Sequence, residues 1–274
     1  MKRILIAAAA VFAALSVSAQ TAEEFKAKYE RQTRNVGLSG VGVETILDSW
    51  AETFPEDRDM LYARFLFFFD KSKGNAVVSR PSTKYLGREP VMNLTDSTGK
   101  KVYYFQDVTF DDALYGEALK TIEILISKDI LNLKYRFTKV AALKEFEKED
   151  IVLTLSELQG LVAQNAGKPA WHYDSDPVDS ELFAESIQTY CAELYSVGSE
   201  SAYEAFKTIS EMMLKQYPKE SCFLDNLGSY WMMSKKNYKK ALSYYNKALK
   251  INPSDQVAKT NVKIVQKKMA AAKK

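Results

Sequence analysis

Few residues of this chain have the types and the spacing that catalysis or metal binding requires. His172 is the only histidine, which excludes sites built on several histidines and leaves a serine or cysteine nucleophile no other histidine base. It lies in residues 171–176 (WHYDSD), which are followed by Asp179 and Glu181. These acids offer oxygen ligands for Ca²⁺, but the EF-hand spacing and its central glycine are missing. We therefore expect a solvated loop anchored by Trp171, with a metal or ligand site as the alternative.

Paired carboxylates are the remaining route to catalysis, as in glycosidases. Of the 35 acidic residues, 34 remain when Asp255 in the C-terminal tail is set aside, so pairs are inevitable and the sequence singles out none. The sequence has no phosphate-binding glycine loop and no nucleophile elbow. We expect no catalysis, no cofactor and no metal. The alternative is an envelope hydrolase built in the 73–110 insertion and the Trp171 loop, which predicts a pocket with two facing carboxylates and a shifted pKa.

The N-terminus predicts export. Residues 1–19 combine a basic start, an apolar stretch over residues 4–15 and small residues before Gln20. These are the parts of a secretory signal peptide, and the apolar stretch is too short for a membrane span. We expect cleavage near Ala19 and a periplasmic or secreted protein without a membrane span, with a retained N-terminal anchor as the alternative.

Charge is distributed unevenly along the mature chain. Removing Lys2 and Arg3 from the 38 basic residues leaves 36 against 35 acidic ones, a net charge of +1. From Ser234 to the end there are twelve Lys and one Asp, a net of +11, so the rest carries −10. These lysines either keep a terminal helix soluble or attract an acidic partner or polyanion. None of these basic residues is Arg, the side chain that forms bidentate hydrogen bonds with phosphates or bases. We therefore expect no nucleic-acid partner.

The elements that organise the chain are clearest in residues 221–254, which predict two short helices joined by a polar turn. Apolar side chains recur every three or four residues, as on one helix face. Gly228 leaves room for a neighbouring helix, and Pro253 ends the unit. The stretch resembles the tetratricopeptide repeat (TPR), whose characteristic positions are filled here by Leu224, Leu227, Gly228, Trp231, Ala241, Tyr245, Ala248 and Pro253. The turn is one residue longer than the family norm, and an unrelated helical hairpin is the alternative.

One such hairpin cannot bury its apolar face alone, and about three or more are needed. A shift of 36 residues places Cys191, Ala192, Tyr195, Ala205, Ile209 and Met212 under equivalent positions of the last repeat. The two cysteines, Cys191 and Cys222, then lie at different heights on neighbouring first helices, beyond the roughly 7 Å that a disulfide spans. We therefore expect two buried free thiols.

Residues 73–110 interrupt the helical rhythm. After a glycine- and proline-containing loop, strands are predicted over residues 91–95 and 101–107, joined by a turn at residues 96–99. An isolated hairpin is marginal in water, so we expect it to pack on the helices. Thr109 and Asp112 have capping-box spacing ahead of the next helix.

The predicted fold class is all-α: a TPR-like α-solenoid of helical hairpins with an inserted β-hairpin and a C-terminal capping helix. Aromatic residues, including the run at residues 65–69, are expected in the core. The predicted segments are a signal peptide (1–19), N-terminal helices (20–72), a loop and β-hairpin insertion (73–110), degenerate helical hairpins and a loop (111–180), TPR-like repeats (181–254, best at 221–254), and a capping helix with a basic tail (255–274).

The resemblance implies a protein-interaction scaffold whose successive first helices line a groove for a peptide or a partner's helix. Carried onto the last repeat, the groove positions are Cys222, Asp225, Asn226, Ser229 and Met232. The family members that clamp a terminal carboxylate have a Lys where Asp225 stands and a basic residue where Met233 stands, so that ligand is not expected here. The partner is an unknown protein or peptide, and the lysine-rich end would favour an acidic one. A structural subunit of an envelope assembly, whose hairpin docks on a partner sheet, is a further alternative.

Overall fold

The structure, a computed structural model, describes residues 20–272, so the predicted signal peptide lies outside the described residues. Within that range the chain is mostly helical, with a small antiparallel sheet. The helices are α1 (Ala22–Val36), α2 (Val43–Thr53), α3 (Arg58–Lys71), α4 (Asp112–Lys128), α5 (Leu133–Glu147), α6 (Leu153–Asn165), α7 (Ser180–Val197), α8 (Glu200–Gln216), α9 (Ser221–Met233), α10 (Tyr238–Ile251) and α11 (Gln256–Ala271). The strands are β1 (Lys73–Arg80), β2 (Met92–Thr95), β3 (Lys101–Phe110), β4 (His172–Tyr173) and β5 (Asp176–Pro177).

Polar side chains fix the starts of most helices by accepting backbone N–H groups. At α1, Thr21 and Glu24 form a reciprocal capping box. The predicted capping box of Thr109 and Asp112 is wrong, because the Asp111 carboxylate caps α4 by accepting two backbone N–H groups at 3.0 Å. Thr109 belongs to β3 instead.

The insertion is a three-stranded antiparallel sheet in the order β1-β3-β2. The predicted hairpin is confirmed as β2 and β3. The loop predicted from residue 73 onward is wrong in part, because residues 73–80 form β1, which pairs with β3 and sets Val78 opposite Phe105. Its sequence KGNAVVSR mixes glycine, asparagine and charges, so its own preference for a strand is weak and the hydrogen bonds of β3 decide its conformation.

The sheet packs on the helices, as expected for so small a sheet. Phe110 closes the gap between them with ring centroids 5.4–6.1 Å from three helix side chains, Phe69, Tyr115 and Phe146. The loop between β1 and β2 folds back over the sheet, placing Tyr85 on Phe105 at 5.7 Å. Both rings are buried. The insertion therefore has a small core of its own and a firm junction with α3, α4 and α5.

The helices share buried side chains along the chain. One hydrophobic cluster joins α1 to α5 around Trp50, and it includes the buried Phe65 and Phe67 of the predicted aromatic core. A second cluster joins α5 to α9. On α9, Leu224 and Met232 reach α10 and α11 instead. Because α5 contributes to two clusters and α9 to three, the apolar contacts are continuous from α1 to α11.

The hairpin of α9 and α10 forms where the sequence predicts it. Gly228 faces the ring of Tyr245, and a Cβ at Gly228 would lie 2.6 Å from that ring. Tyr245 is fully buried, so the missing side chain is what lets the two helices approach. In the preceding pair, Ala205 and Ile209 are buried as the 36-residue shift predicts. Its third position is wrong by one residue: Met213, not Met212, is buried.

Both cysteines are free thiols, as predicted. Cys191 is buried and burial raises its pKa to about 12. Cys222 is half-buried rather than buried, and desolvation raises its pKa to about 11. Neither thiol is therefore activated as a nucleophile at neutral pH.

Candidate functional site

The predicted groove residues lie against neighbouring helices. Asn226 is buried between α7, α8 and α9, where its Nδ2 donates to Gln188 Oε1 at 2.8 Å and to Ser210 Oγ at 3.1 Å. Its Oδ1 accepts from Gln188 Nε2 at 3.1 Å. The amide of Asn226 is therefore committed to holding three helices together.

Asp225 is also buried, with 5% of its surface exposed. It faces Asp255, which caps α11 by accepting the backbone N–H groups of Val257 and Ala258. Burial and the neighbouring Asp255 carboxylate raise the pKa of Asp225 to about 8. The shift favours the protonated form of Asp225, whose side chain lies beside the cap of α11.

The last two predicted groove residues also have partners. The Ser229 hydroxyl lies 3.0 Å from the Tyr245 hydroxyl, and Met232 is buried beside Tyr245 and Val265. A ligand at these positions would have to displace helix contacts. Their role in binding stays a prediction.

Open space lies elsewhere, in a cleft of about 610 Å³ between the insertion and the helices α5 and α7. One wall is formed by the two helices, and the opposite wall by β3 and the β1–β2 loop. The apolar lining consists of Leu86, Val108, Ala141, Ala192 and Val197. Charged side chains stand around it, namely Arg88, Asp107, Lys144, Glu145, Lys148 and Glu193. An apolar lining with a few charged groups is typical of a ligand site.

Unusual backbone conformations hold the cleft in shape. Leu86 and Lys148, both in its lining, have positive φ angles of 50° and 59°, which are uncommon for residues other than glycine. Between the two walls, Gly87 approaches Ser196 so closely that a Cβ would lie 2.7 Å from the Ser196 carbonyl oxygen. With a φ of 75° as well, this position requires glycine. The loop of the insertion therefore closes one end of the cleft on α7.

Ion pairs neutralise the acidic side chains of the cleft. The Lys148 Nζ lies 2.7 Å from Asp107 Oδ2, Lys73 pairs with Glu145 at 2.9 Å, and Lys144 pairs with Glu193. Burial alone would raise the pKa of Asp107, but the Lys148 ammonium, the Val108 N–H and the Tyr85 hydroxyl together outweigh it and hold that pKa below its usual value.

Arg88 is the exception among the charges of the cleft. Its side chain is exposed, and no carboxylate within residues 20–272 forms an ion pair with it. The guanidinium is therefore available to an incoming carboxylate or backbone carbonyl.

The carboxylates do not form the pair that the hydrolase alternative predicts for its pocket. In the cleft, each of Asp107, Glu145 and Glu193 holds a lysine. The carboxyl group with a raised pKa, that of Asp225, lies beside Asp255 between helices and lines neither the cleft nor the second cavity.

A second cavity of about 580 Å³ adjoins the Trp171 loop. Trp171 is buried and anchors the loop, as predicted, and its Nε1 donates to Asn165 Oδ1 at 3.0 Å. His172 Nε2 lies 3.0 Å from Asp129 Oδ1, which fixes the loop to the end of α4. Across the described part of the chain, no three His, Cys, Asp or Glu side chains are grouped so that they could hold a metal ion.

Sequence reasoning did not find the cleft. Its charged residues come from β3, from the β1–β2 loop and from two helices, so no local pattern connects them. One signal was available: Asp107 follows Phe105 by two residues in a strand, and alternation places both side chains on the same buried face.

Comparison with protein-family models and with curated proteins finds no match for this chain. Among the helices within residues 20–272, none has both the length and the apolar composition that crossing a bilayer requires.

Proposed function

We propose that this chain is an exported, non-catalytic protein-binding scaffold of the TPR kind, which holds a peptide or an extended segment of a partner in the cleft. The observation that carries the proposal is the position of the cleft on α5 and α7, the first helices of two successive pairs. Successive first helices are where the TPR resemblance puts a ligand groove. The two helices are adjacent, since the Tyr190 hydroxyl of α7 donates to the Phe137 carbonyl of α5 at 3.2 Å.

The lining suits a short stretch of polypeptide. Half-buried apolar side chains offer contacts for a partner's side chains, while the exposed Arg88 offers hydrogen-bond donors to a carboxylate or a carbonyl. The positive φ angles of Leu86 and Lys148 each cost about 1–3 kcal/mol. Backbone strain of this kind is concentrated at functional sites, which supports binding at the cleft over binding at the well-packed α9.

A blocked cleft tests the proposal. Ala192 is exposed on α7 and lines the cleft, so Ala192→Trp should fill the space without disturbing a core. Ala163 is equally exposed on α6 and lines no cavity within residues 20–272, which makes Ala163→Trp the matched control. The probe is a phage-displayed library of random peptides selected on the purified mature chain.

We expect enriched peptides to bind the wild type and Ala163→Trp alike, and to lose at least about ten-fold in affinity on Ala192→Trp, since a ten-fold loss corresponds to about 1.4 kcal/mol. Enriched peptides that bind Ala192→Trp as well as the wild type would contradict the cleft as the site. A library that yields no binder would count against a peptide-binding function.

A second candidate, a structural subunit of an envelope assembly, is favoured by the outer face of the inserted sheet. Side chains alternate along a strand, so the face opposite Phe105 carries Val77, Met92 and Leu94, of which 66%, 48% and 50% is exposed. Contiguous exposed apolar side chains mark interaction surfaces. Light scattering after size exclusion tests it: oligomers that dissociate in Val77→Thr/Leu94→Thr are expected, and a monomer at every concentration contradicts self-assembly through this face.

A further inference from the structure

The last two helices carry an unusually one-sided charge. Within residues 20–272, no ion pair involves a side chain of α10 or α11, although the lysine just before α10, Lys235, pairs with Glu200 and Glu204. Nine described lysines from residue 236 onward therefore have no carboxylate partner, namely Lys236, Lys239, Lys240, Lys247, Lys250, Lys259, Lys263, Lys267 and Lys268. The one acid in this region, Asp255, is occupied as the cap of α11. Cation–π contacts engage Lys240 with Trp231, Lys247 with Tyr244 and Lys268 with Tyr238. The other lysines of this set have neither kind of partner within residues 20–272, and lysines on one helix surface repel each other.

The outer face of α11 combines those lysines with exposed apolar side chains. Its inner face is set by Ala258 and Val265, which are fully buried against α9 and α10. On the outer side, Lys259, Lys263 and Lys267 recur every four residues and form one stripe. Beside it runs an apolar stripe with a seven-residue spacing, formed by Val257, Ile264 and Ala271. Of these, Val257 is 58% exposed and Ile264 is 40% exposed.

We propose that this outer face of α11, together with the lysines of α10, binds the surface of an anionic lipid bilayer. A helix that lies on a membrane has an apolar side for the boundary between headgroups and acyl chains and lysines for the phosphates. The lysine and apolar stripes of α11 supply both on one accessible face. Lysine binds phosphate as a point charge and needs no fixed geometry, which suits a fluid surface better than a structured partner.

An acidic protein is the alternative partner for these lysines. The apolar stripe of α11 distinguishes it from a bilayer. Attraction to an acidic chain depends on the lysines alone, whereas a bilayer also contacts the apolar side chains of Val257 and Ile264. The inference stands apart from the cleft, because α11 lines neither the cleft nor the second cavity. If lipid binding by α11 fails its test, the proposal of peptide binding at the cleft is unaffected, and the reverse also holds.

Flotation of the mature chain with lipid vesicles tests the inference. The vesicles are phosphatidylcholine alone, or phosphatidylcholine with about one third phosphatidylglycerol, at low and at high salt. We expect binding to the anionic vesicles only, and less of it as salt rises. Each lysine near an anionic surface strengthens binding about five-fold, so Lys259→Gln/Lys263→Gln/Lys267→Gln should weaken it roughly a hundred-fold.

Two further variants make the result specific. Lys100→Gln/Lys101→Gln/Lys219→Gln removes the same charge from exposed positions outside α10 and α11 and should bind as the wild type does. Val257→Ser/Ile264→Ser keeps every lysine and should weaken vesicle binding while leaving binding to soluble polyglutamate unchanged. Thermal unfolding of each variant near the wild-type temperature verifies that the folds are intact.

The inference would be overturned by a lack of binding to anionic vesicles, by equal binding to neutral and anionic vesicles, by an equal loss in both triple-lysine variants, or by vesicle binding that is unchanged in Val257→Ser/Ile264→Ser. Absence of vesicle binding together with lysine-dependent binding to polyglutamate would overturn it in favour of an acidic protein partner.

Discussion

Asp107 lines the cleft and Asp225 lies between α9 and α11, and 5% of each residue is exposed. Asp107 has the Lys148 ammonium at 2.7 Å, and its pKa is held below the usual value. Asp225 faces another carboxylate, Asp255, and its pKa is raised to about 8. Burial raises the pKa of both groups, but a second carboxylate adds to this shift at Asp225, whereas the hydrogen bonds and the ammonium around Asp107 together reverse it.

The α9 region and the cleft also differ in what surrounds their polar side chains. At α9, the buried amide of Asn226 bonds to Gln188 of α7 and Ser210 of α8. At the cleft, the ion pairs stand around open space and Arg88 stays unpaired. At α9 and α10 the residues at the predicted repeat positions pack the two helices together, whereas the cleft is lined by residues of β3, the β1–β2 loop, α5 and α7.

The close approach of α9 and α10 can be broken at one residue. Gly228→Val should lower the free energy of unfolding by about 3 kcal/mol, because its side chain would overlap the fully buried Tyr245 ring. Urea denaturation measures this. The control is Gly160→Val on α6, where no atom lies within 4 Å of an added Cβ, and the expected change is within about 0.5 kcal/mol. Equal effects of the two substitutions would mean that α9 and α10 do not pack as described.

The raised pKa of Asp225 predicts a pH-dependent stability. Its folded-state pKa of about 8 exceeds the unfolded value, so its contribution is fully present below about pH 4 and is lost as pH rises through about 8. Asp225→Asn keeps the shape and cannot ionise. It should exceed the wild type in unfolding free energy by on the order of 2 kcal/mol at about pH 9, and by little at about pH 4.

Denaturation of Asp225→Asn and the wild type across that pH range is the measurement. A constant difference between the two proteins at all pH values would contradict a titrating Asp225.

Lys148→Met tests the other carboxylate of the comparison, Asp107, by removing its ion-pair partner. Removing the ammonium leaves the Asp107 carboxylate buried without a cation, which should cost about 1.5 kcal/mol at neutral pH after allowance for the partial exposure of Lys148. The folded-state pKa of Asp107 is lowered. Its pairing therefore stabilises the fold above the unfolded pKa, and this contribution is lost as pH falls through the folded one.

The deficit of Lys148→Met should accordingly shrink as pH falls below the unfolded pKa of Asp107 and through its lowered folded one. Lys148→Arg, which keeps the charge, is the control and should lose less. A deficit of the same size in acid would indicate lost packing rather than a lost ion pair.

Arg88→Gln should have the smallest effect on folding. The side chain is exposed and unpaired among the described residues, so the unfolding free energy should change by less than about 0.5 kcal/mol. Peptides selected on the cleft should nevertheless bind more weakly, as measured by titration. A clear loss of stability without a change in peptide affinity would assign Arg88 to the fold instead of the ligand.

Much of the fold is local and could be predicted for that reason. The N-terminal helices, the capping helix α11, the turn between β2 and β3 and the α9–α10 hairpin each follow from residues a few positions apart. The cap of α4 and the strand β1 could not be predicted as readily. Asp111 competed with Thr109 as a cap, and β1 depends on its pairing with β3.

For the site, the sequence could name types of residue but not their partners. It identified Asp225 and Asn226 by their place in a repeat, yet their burial depends on Asp255, Gln188 and Ser210 from other helices. It had no means to join Asp107 to Lys148, which is 41 residues away in the chain. Spacing along the chain sets the periodicity of an element and which of its faces is apolar.

The amino-acid sequence thus determined the helical periods, the close contact at Gly228 and the lysine-rich end, because each depends on neighbouring residues alone. Tertiary structure decided which carboxylate meets an ammonium, which meets a second carboxylate, and where a cleft stays open. Those outcomes depend on distances between elements, and electrostatic and packing energies change steeply with such distances.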